Sequence, residues 1–236
     1  MCGRYVVFTE EENAELIEII NGIDQRYKNE AQQMKTGEIF PTDTVPVITA
    51  SAGSSVGSVG YTGSTSSISS VGYTCSVSFD SSENARDVHL FKWGFPNYMK
   101  SSAVIINARC ETLHEKPTFR KLLGTGRCLV PASGFYEWKA ADGSTKKKDK
   151  YLIRTADSKL IYFAGLFGSF IDKTGIPSTR FVIITTDANR QMSQIHSRMP
   201  VILQKPEAMA WISPQNKELD SLLRPYGSEL TFDKVG

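Results

Sequence analysis

The chain has 236 residues, with 27 Lys and Arg against 25 Asp and Glu, which gives a formal net charge of +2. A β-rich chain of about 200–250 residues is commonly one domain, so we expect a single domain over residues 2–236. No apolar run approaches the roughly 18 residues that span a bilayer, and the N-terminus lacks the pattern of a signal peptide, so we expect a cytoplasmic protein. The net charge alone does not indicate nucleic-acid binding, which depends on a local basic patch.

Four cysteines are spread along the chain without Cys-x-x-Cys spacing: Cys2, Cys75, Cys110 and Cys128. In a cytoplasmic chain of this length, neither a disulfide framework nor a zinc site is expected. We therefore predict free thiols, and we expect no metal and no other cofactor.

The first residues, Met1-Cys2-Gly3-Arg4, would carry a 1,2-aminothiol after removal of Met1, which a residue as small as Cys2 permits. An α-amine with an ordinary pKa of about 7.7–8.0 and a thiol near about 8.5 are each partly nucleophilic at neutral pH. The amine can condense with an aldehyde to an imine, and the thiol can then close on the same carbon to give a thiazolidine. A cysteine at position 2 can also be accidental, so other motifs must decide.

The first part of the chain contains one clear helical pattern. A capping box of Thr9 and Glu12 precedes apolar residues at helical spacing, which predicts an amphipathic helix. These apolar residues are Leu16, Ile17, Ile20 and Ile23. Residues 37–42 are predicted to form a loop held by Pro41, before a strand over 45–50.

Residues 51–86 are rich in Ser, Gly and Thr. Such a segment buries too little apolar surface to offset its ordering entropy, which predicts a mobile insertion between strands. A Ser/Gly-rich β-hairpin is the alternative. We assign no chemistry to this insertion.

The remaining chain is dominated by short strand-like runs. Strands are predicted over residues 88–93, 103–106, 127–130, 135–139, 151–154, 159–167, 180–185 and 200–203. Helices are predicted over 118–123, 188–196 with Asp187 as the cap, 206–212 and 218–223. A turn at 141–144 precedes Lys146, Lys147, Lys148 and Lys150, which we interpret as a solvated hairpin tip, with a phosphate-facing patch as the alternative. The pattern predicts an α+β fold of mostly antiparallel, barrel-like sheets with peripheral helices.

Asn107 and Arg109 form the first candidate functional pair. Asn107 follows an apolar strand, and Arg109 shares its face two residues later. An amide beside a guanidinium suits an oxygen-rich ligand. The structural alternative is that Asn107 caps the strand end while Arg109 pairs with Glu111.

Glu137 and His196 are candidates for proton transfer. Glu137 lies in the aromatic run 134–138, and an apolar setting would raise its pKa and suit it to that role. An exposed strand pair with Lys139 is the alternative. His196, just before Pro200 and an apolar strand, is the best placed of the three histidines for a proton shuttle, although a histidine at such a position is often structural.

Five motifs, taken in this order, resemble the SOS response-associated peptidase (SRAP) family of abasic-site sensors. They are Cys2-Gly3-Arg4-Tyr5, Lys92-Trp93-Gly94, Ile106-Asn107-Ala108-Arg109 with Glu111, Gly134-Phe135-Tyr136-Glu137-Trp138 and Ile195-His196-Ser197-Arg198-Met199-Pro200. The resemblance implies a compact β-rich domain that binds single-stranded DNA and cross-links itself covalently to abasic sites. It also implies that peptidase activity of the protein exposes Cys2.

The resemblance further implies roles for single residues. The implied catalytic residues are Cys2 as the nucleophile, supported by Asn107, Glu137 and His196. The implied DNA contacts are the phosphate-binding Arg4, Arg109 and Arg198 and an apolar wedge of Trp93 and Pro41 that parts stacked bases. The family usually has Asn where this chain has Glu38, and an acid near the DNA path would oppose phosphate binding.

The chemistry of an aminothiol agrees with this resemblance. An abasic site ring-opens to an aldehyde, which the Cys2 amine would attack at C1′ while Glu137 takes and returns protons and His196 protonates the sugar oxygen. Asn107 would hold the opened sugar. If the imine instead undergoes β-elimination, the protein acts as an AP lyase. The expected partner is single-stranded DNA containing abasic sites, and we expect a monomer.

Two other function classes stay open. An N-terminal-nucleophile amidohydrolase would use the Cys2 thiol on a small amide, but it would need an oxyanion hole that no motif indicates. A non-covalent single-strand binder would need only Trp93, Trp138 and basic residues. A denaturation-resistant adduct with abasic single-stranded DNA would separate the three classes.

Overall fold

The structure is a computed structural model that describes residues 2–7, 14–26, 34–51, 76–77, 86–100, 103–140, 148–171 and 175–235. Several predicted features lie outside these residues. They are the capping box of Thr9 and Glu12, the turn at 141–144 with Lys146 and Lys147, Cys75, and most of the 51–86 insertion.

Sixteen strands and three α-helices make up the described part of the chain. The strands are β1 (Arg4–Val7), β2 (Gly37–Ile39), β3 (Thr44–Ala50), β4 (Ser76–Val77), β5 (Arg86–Trp93), β6 (Phe95–Pro96), β7 (Val104–Ile105), β8 (Asn107–Arg109), β9 (Arg127–Ala132), β10 (Gly134–Lys139), β11 (Asp149–Thr155), β12 (Ile161–Ile171), β13 (Pro177–Asp187), β14 (Arg198–Pro200), β15 (Ile202–Leu203) and β16 (Leu230–Lys234). The helices are α1 (Ala14–Arg26), α2 (Pro117–Thr125) and α3 (Lys205–Ile212).

Five strands of the larger sheet close into a barrel. The order β13-β12-β9-β3-β5 is antiparallel throughout, and a parallel pairing of β5 with β13 completes the ring. Phe163, Phe181 and Val130 have no exposed surface and fill the interior, as expected for a small barrel. The α+β prediction with mostly antiparallel, barrel-like sheets is therefore confirmed.

Gly94 makes the corner at which β5 leaves the barrel. Its φ of +109° lies in a region that L side chains rarely adopt, and its N–H donates to the Phe181 carbonyl at 2.8 Å. A Cβ atom here would lie 3.1 Å from Val104, so a side chain would both strain the backbone and crowd β7. The glycine of the Lys92-Trp93-Gly94 motif is thus required by the fold.

A second sheet, in the order β16-β11-β10-β1-β2, covers the barrel. Tyr5, Phe135 and Ile153 are aligned across neighbouring strands, have no exposed surface and pack into the main core. The opposite face carries Arg4 and Tyr136, which are paired in register. Because facing residues in antiparallel strands share a side of the sheet, one face is apolar and the other carries polar and aromatic groups.

Two of the four later helix predictions hold and two need correction. Helices α2 and α3 lie where they were predicted, but 188–196 contains only a 3₁₀ turn, Met192–Gln194. A regular helix does not form here, because the Asn189 side chain accepts a hydrogen bond from the Met192 N–H and donates one to the Tyr226 carbonyl. Strand β13 runs on to Asp187, which pairs with Arg198 instead of capping a helix. The other predicted helix that needs correction, 218–223, likewise forms only the 3₁₀ turn Asp220–Leu222.

Several strands were not expected from the sequence. One is β1, which pairs with β10 and β2. Part of the predicted 37–42 loop is β2, an edge strand. Another is β16, which pairs with β11 near the C-terminus. The short strands β4, β6 and β8 were not predicted either. Among the described helices, the longest has 13 residues and none has the length and apolar character needed to cross a bilayer.

Arg127 joins the ends of two helices to the barrel and gives a stability prediction. At the start of β9, its guanidinium donates to the Trp211 and Ser213 carbonyls, each at 2.6 Å, and to the Leu123 carbonyl. Arg127→Ala would leave three carbonyls at helix ends without this cation, so we expect the free energy of unfolding to fall by about 2–4 kcal/mol. Chemical denaturation measures this loss.

The matched control is Arg224→Ala, which removes an exposed arginine paired with Glu207. Exposed pairs contribute about 0–1 kcal/mol, so this variant should unfold almost as the parent does. Equal losses in both variants would contradict a special role for Arg127.

Candidate functional site

The N-terminal segment is held inside the protein by strand pairing on both sides. Strand β1 pairs with β10 through Arg4 and Tyr136 and with β2 through Tyr5 and Ile39. This pairing fixes Cys2 just before the strand, where it has no exposed surface and its thiol lies 3.6 Å from the Arg4 carbonyl oxygen. Cys2, the nucleophile implied by the sequence, is therefore part of the core.

Asn107 contacts Cys2 directly, although 105 residues separate them in sequence. Its side-chain N–H donates to the Cys2 carbonyl at 2.9 Å, because the parallel pairing of β8 with β13 brings Asn107 to this end of the barrel. Asn107 thus lies within a strand and does not merely cap one. Its Oδ1 atom is buried and accepts no hydrogen bond from the residues that the structure describes.

Glu137 and His196 lie together beside this contact. Glu137 is only 4% exposed, which places it in the apolar setting and excludes the exposed pair with Lys139. Its Oε1 atom is 3.8 Å from His196 Nδ1. The same Nδ1 accepts the Arg198 backbone N–H at 3.0 Å, so in the neutral ring the proton is carried by Nε2.

The environment of the Cys2 thiol opposes its ionisation. Burial, and after it the negative charge of Glu137, raises the pKa of Cys2 far above the ordinary value for a thiol. The expectation from sequence concerns the Cys2 thiol after removal of Met1, and for that form of the protein it stays a prediction. In this arrangement a nearby proton acceptor would help the thiol to lose its proton.

Arg198 is already paired with two carboxylates. It binds both oxygens of Glu111 at 2.7 and 3.0 Å, Asp187 at 2.5 Å and the Thr185 carbonyl at 2.9 Å. The hydrogen bonds that Arg198 donates to Glu111 lower the pKa of that carboxyl to about 2. The structural alternative for Arg109 was a pair with Glu111, but Arg198 is the partner. The backbone N–H of Arg198 also orients the His196 ring, because it donates to His196 Nδ1.

Three other predicted DNA contacts lie at the surface to different degrees. Arg109 is exposed, and Pro41 is partly exposed. The Arg4 guanidinium lies between two aromatic rings, 4.4 Å from the Phe40 centroid and 5.0 Å from that of Trp138. Such contacts hold a cation without neutralising it.

Trp93 does not fit its predicted role. It has no exposed surface, packs against Tyr5 and donates its indole N–H to the Ile106 carbonyl at 3.0 Å. A ring without exposed surface cannot part stacked bases, so this prediction is wrong. Trp93 instead fixes the residue before Asn107.

Sequence reasoning missed Tyr98 and Met99, which are 76% and 93% exposed. They lie in a turn that follows β6, and β6 pairs with β7 through Phe95 and Ile105. An aromatic residue in a Pro-Asn turn was the signal available in the sequence. This turn, rather than Trp93, presents large apolar groups to solvent.

Comparisons with known proteins identify the family. A family model described as SOS response associated peptidase (SRAP) matches residues 1–236. The chain is 34% identical over 236 residues to "Abasic site processing protein YoqW" of Bacillus subtilis (strain 168), covering 97% of this chain and 89% of that protein. It is 32% identical over 192 residues to "Abasic site processing protein HMCES" of Rattus norvegicus, covering 66% of this chain and 54% of that protein.

The fold is also similar to solved structures. A crystal structure of a protein from Bacteroides thetaiotaomicron matches with a TM-score of 0.72 and 22% sequence identity, covering all of this chain and 92% of that chain. At this identity the likeness concerns the fold alone. The match of the family model over the whole chain and the 34% identity to the Bacillus relative lead to one conclusion: the chain belongs to the SOS response associated peptidase (SRAP) family.

Proposed function

We propose that this protein processes abasic sites in single-stranded DNA by covalent capture through Cys2. The observation that carries the proposal is the contact between Asn107 and the Cys2 carbonyl beside the buried Glu137. The names of the curated relatives, abasic site processing proteins, support the same reaction class. Because an aldehyde is the electrophile in such DNA, an aminothiol needs no cofactor to capture it.

The reaction begins after removal of Met1. The Cys2 amine attacks C1′ of the ring-opened sugar to give a carbinolamine, which loses water to form an imine. The thiol then adds to the same carbon: a C–S bond forms, the thiol proton leaves, and the nitrogen gains a proton as the thiazolidine closes. If a base removes a proton from C2′ first, β-elimination breaks the strand and the outcome is AP-lyase activity.

The polar residues around Cys2 have chemistry suited to these steps. Glu137 can accept and return the protons exchanged between amine, water and thiol. The Nε2–H of His196 can donate a hydrogen bond to the sugar oxygen as the ring opens, because Nδ1 of the neutral ring accepts the Arg198 N–H. The buried Oδ1 of Asn107 can accept a hydrogen bond from a sugar hydroxyl.

Burial of Cys2 adds a requirement to the proposal. A nucleotide cannot reach an atom without exposed surface, so the segment before β1 must open when DNA binds. Removal of Met1 both creates the amine and shortens this segment. We assign that removal to peptidase activity of the protein itself, and the intact mass of protein incubated after synthesis without an aminopeptidase tests this assignment.

For DNA binding, we infer that Arg4 and Arg109 contact phosphates and that Pro41 borders the strand. Tyr98 and Met99 take the stacking role that the buried Trp93 cannot perform. An exposed aromatic ring stacked on a base contributes about 1–3 kcal/mol regardless of sequence.

A cross-linking assay tests the proposed function. The protein is incubated with single-stranded DNA containing one abasic site, with undamaged DNA, and with DNA containing a reduced abasic site that has no aldehyde. We expect a denaturation-resistant adduct only with the aldehyde-bearing strand. Binding of all three DNAs without an adduct would favour a non-covalent single-strand binder and contradict the proposal.

A further inference from the structure

The outer face of the five-stranded sheet carries a carboxylate that binds two cations at once. Glu38 on β2 accepts from Lys150 Nζ through both oxygens, at 2.8 and 2.9 Å, and from Arg4 Nη1 at 3.1 Å. Glu38 and Lys150 are 112 residues apart in sequence, and they meet across β1 and β10 because their side chains lie on the same face. The three residues form what we call the Glu38 clamp.

Aromatic rings hold both cations of the clamp independently of Glu38. The Arg4 guanidinium lies over Phe40 and Trp138, while the Lys150 ammonium lies 4.0 Å from the Tyr136 centroid. Because these contacts do not involve the carboxylate, the two cations would stay close to their positions if Glu38 were neutral or displaced.

The clamp resembles the way proteins hold a phosphate. A carboxylate and a phosphate both offer oxygen acceptors to Arg and Lys, and these groups bind with similar charge-assisted geometry. The first and largest influence on the Glu38 pKa is burial, which raises it, but the hydrogen bonds and charges of Lys150 and Arg4 outweigh burial and lower the pKa. Glu38 therefore stays ionised at neutral pH, and its side chain remains 27% exposed, open to competition from solvent.

We propose that Glu38 occupies, in the DNA-free protein, the position that a backbone phosphate takes on Arg4 and Lys150. This inference rests on the proposed function, and it adds a residue that limits DNA affinity. A phosphate and the Glu38 carboxylate cannot both bind the same N–H groups, so each phosphate bound here must displace Glu38. The chain would hold DNA less tightly in exchange for releasing undamaged strands more readily.

The test measures binding of an undamaged, fluorescein-labelled single-stranded oligonucleotide by anisotropy over a range of salt concentrations. Undamaged DNA has no aldehyde, so the readout is independent of Cys2 chemistry. Single-strand binding falls with salt by a log–log slope of about 0.7 for each phosphate that the protein neutralises. If one further phosphate binds to Arg4 and Lys150, Glu38→Gln should bind about fivefold more tightly at about 0.1 M salt, with a slope steeper by about 0.7.

Glu207→Gln is the matched control. It changes the net charge equally by removing an exposed pair with Arg224, and glutamine keeps the position in the helix cap. An increase in affinity in Glu38→Gln that exceeds the control, and that shrinks when Lys150→Gln is also present, supports the clamp. An increase no larger than the control overturns it, provided that thermal unfolding shows both variants folded.

Failure of the clamp is distinguishable from failure of the proposed function. If the parent protein binds single-stranded DNA and forms the adduct but Glu38→Gln behaves like the control, only the clamp is wrong. If the parent neither binds nor cross-links such DNA, the proposed function is wrong and the clamp with it. Tighter binding that is unchanged by Lys150→Gln would also overturn the clamp, because the added affinity would then come from elsewhere on the surface.

Discussion

Cys2→Ala is expected to abolish the denaturation-resistant adduct with abasic single-stranded DNA. Once an added aminopeptidase has removed Met1, the variant has an α-amine and can form an imine, but it has no thiol to close the ring. An imine hydrolyses on denaturation, so the stable adduct should fall by at least about 100-fold while non-covalent binding is retained. A denaturing gel measures the adduct, and anisotropy measures the binding.

Reduction with borohydride makes this result more informative. If the amine of the variant attacks as proposed, borohydride should trap a covalent product that is absent without the reductant. The same imine should release more of the β-elimination product than in the parent, because thiol capture no longer competes with elimination.

Cys110→Ala is the matched control for loss of a thiol. Cys110 is a partly exposed free cysteine that has no role in the proposed chemistry. This variant should form the adduct as the parent does. An adduct that persists in Cys2→Ala but disappears in Cys110→Ala would place the nucleophile elsewhere and contradict the assignment of Cys2.

The strands of the barrel could be predicted from the sequence because they contain apolar runs, whereas the parallel pairing of β5 with β13 that closes the barrel could not. Strands β12 and β13 each contain a continuous apolar run, which is typical of strands buried on both faces. Strands β2 and β16 were missed because both are short and pair at or near the edges of a sheet. Helix propensity over 188–196 was overridden by one side chain, that of Asn189, which satisfies backbone groups in another way.

The sequence identified the side chains that surround Cys2, but it did not show their burial or the direction of the Cys2 pKa shift. The five motifs named Asn107, Glu137 and His196 as candidates, and the structure places all three near Cys2. Sequence patterns could not show that Cys2 is buried, because burial depends on the strands that pair with β1 from distant parts of the chain. They also could not show that Trp93 is interior, since an aromatic residue after a strand is compatible with either location.

The charged surface illustrates the same limit. The acid at Glu38 could be recognised as unfavourable for DNA, but its partner Lys150 lies 112 residues away and was interpreted as part of a solvated hairpin tip. Only the curvature and register of the sheet bring the two together. Charges near each other in space therefore have to be read from the fold, not from local composition.

Glu137→Gln is expected to slow adduct formation by about 10²–10⁴-fold with DNA binding unchanged, because glutamine keeps the shape of the side chain but cannot accept a proton. The measurement is the rate of adduct formation at saturating abasic DNA. Glu207→Gln makes the same change in charge at an exposed pair on helix α3 and should cross-link at the parental rate.

The sign of the effect decides between two roles for Glu137. Its negative charge raises the pKa of the Cys2 thiol, so its removal moves that pKa back toward the ordinary value and increases the thiolate fraction at a given pH. If Glu137 acted only through this charge, Glu137→Gln would speed ring closure, by a nearly constant factor at every pH well below the thiol pKa. If Glu137 carries protons, as we propose, the loss of the acceptor outweighs the easier ionisation and the rate falls. A faster variant would therefore contradict proton transfer by Glu137 while leaving capture by Cys2 intact.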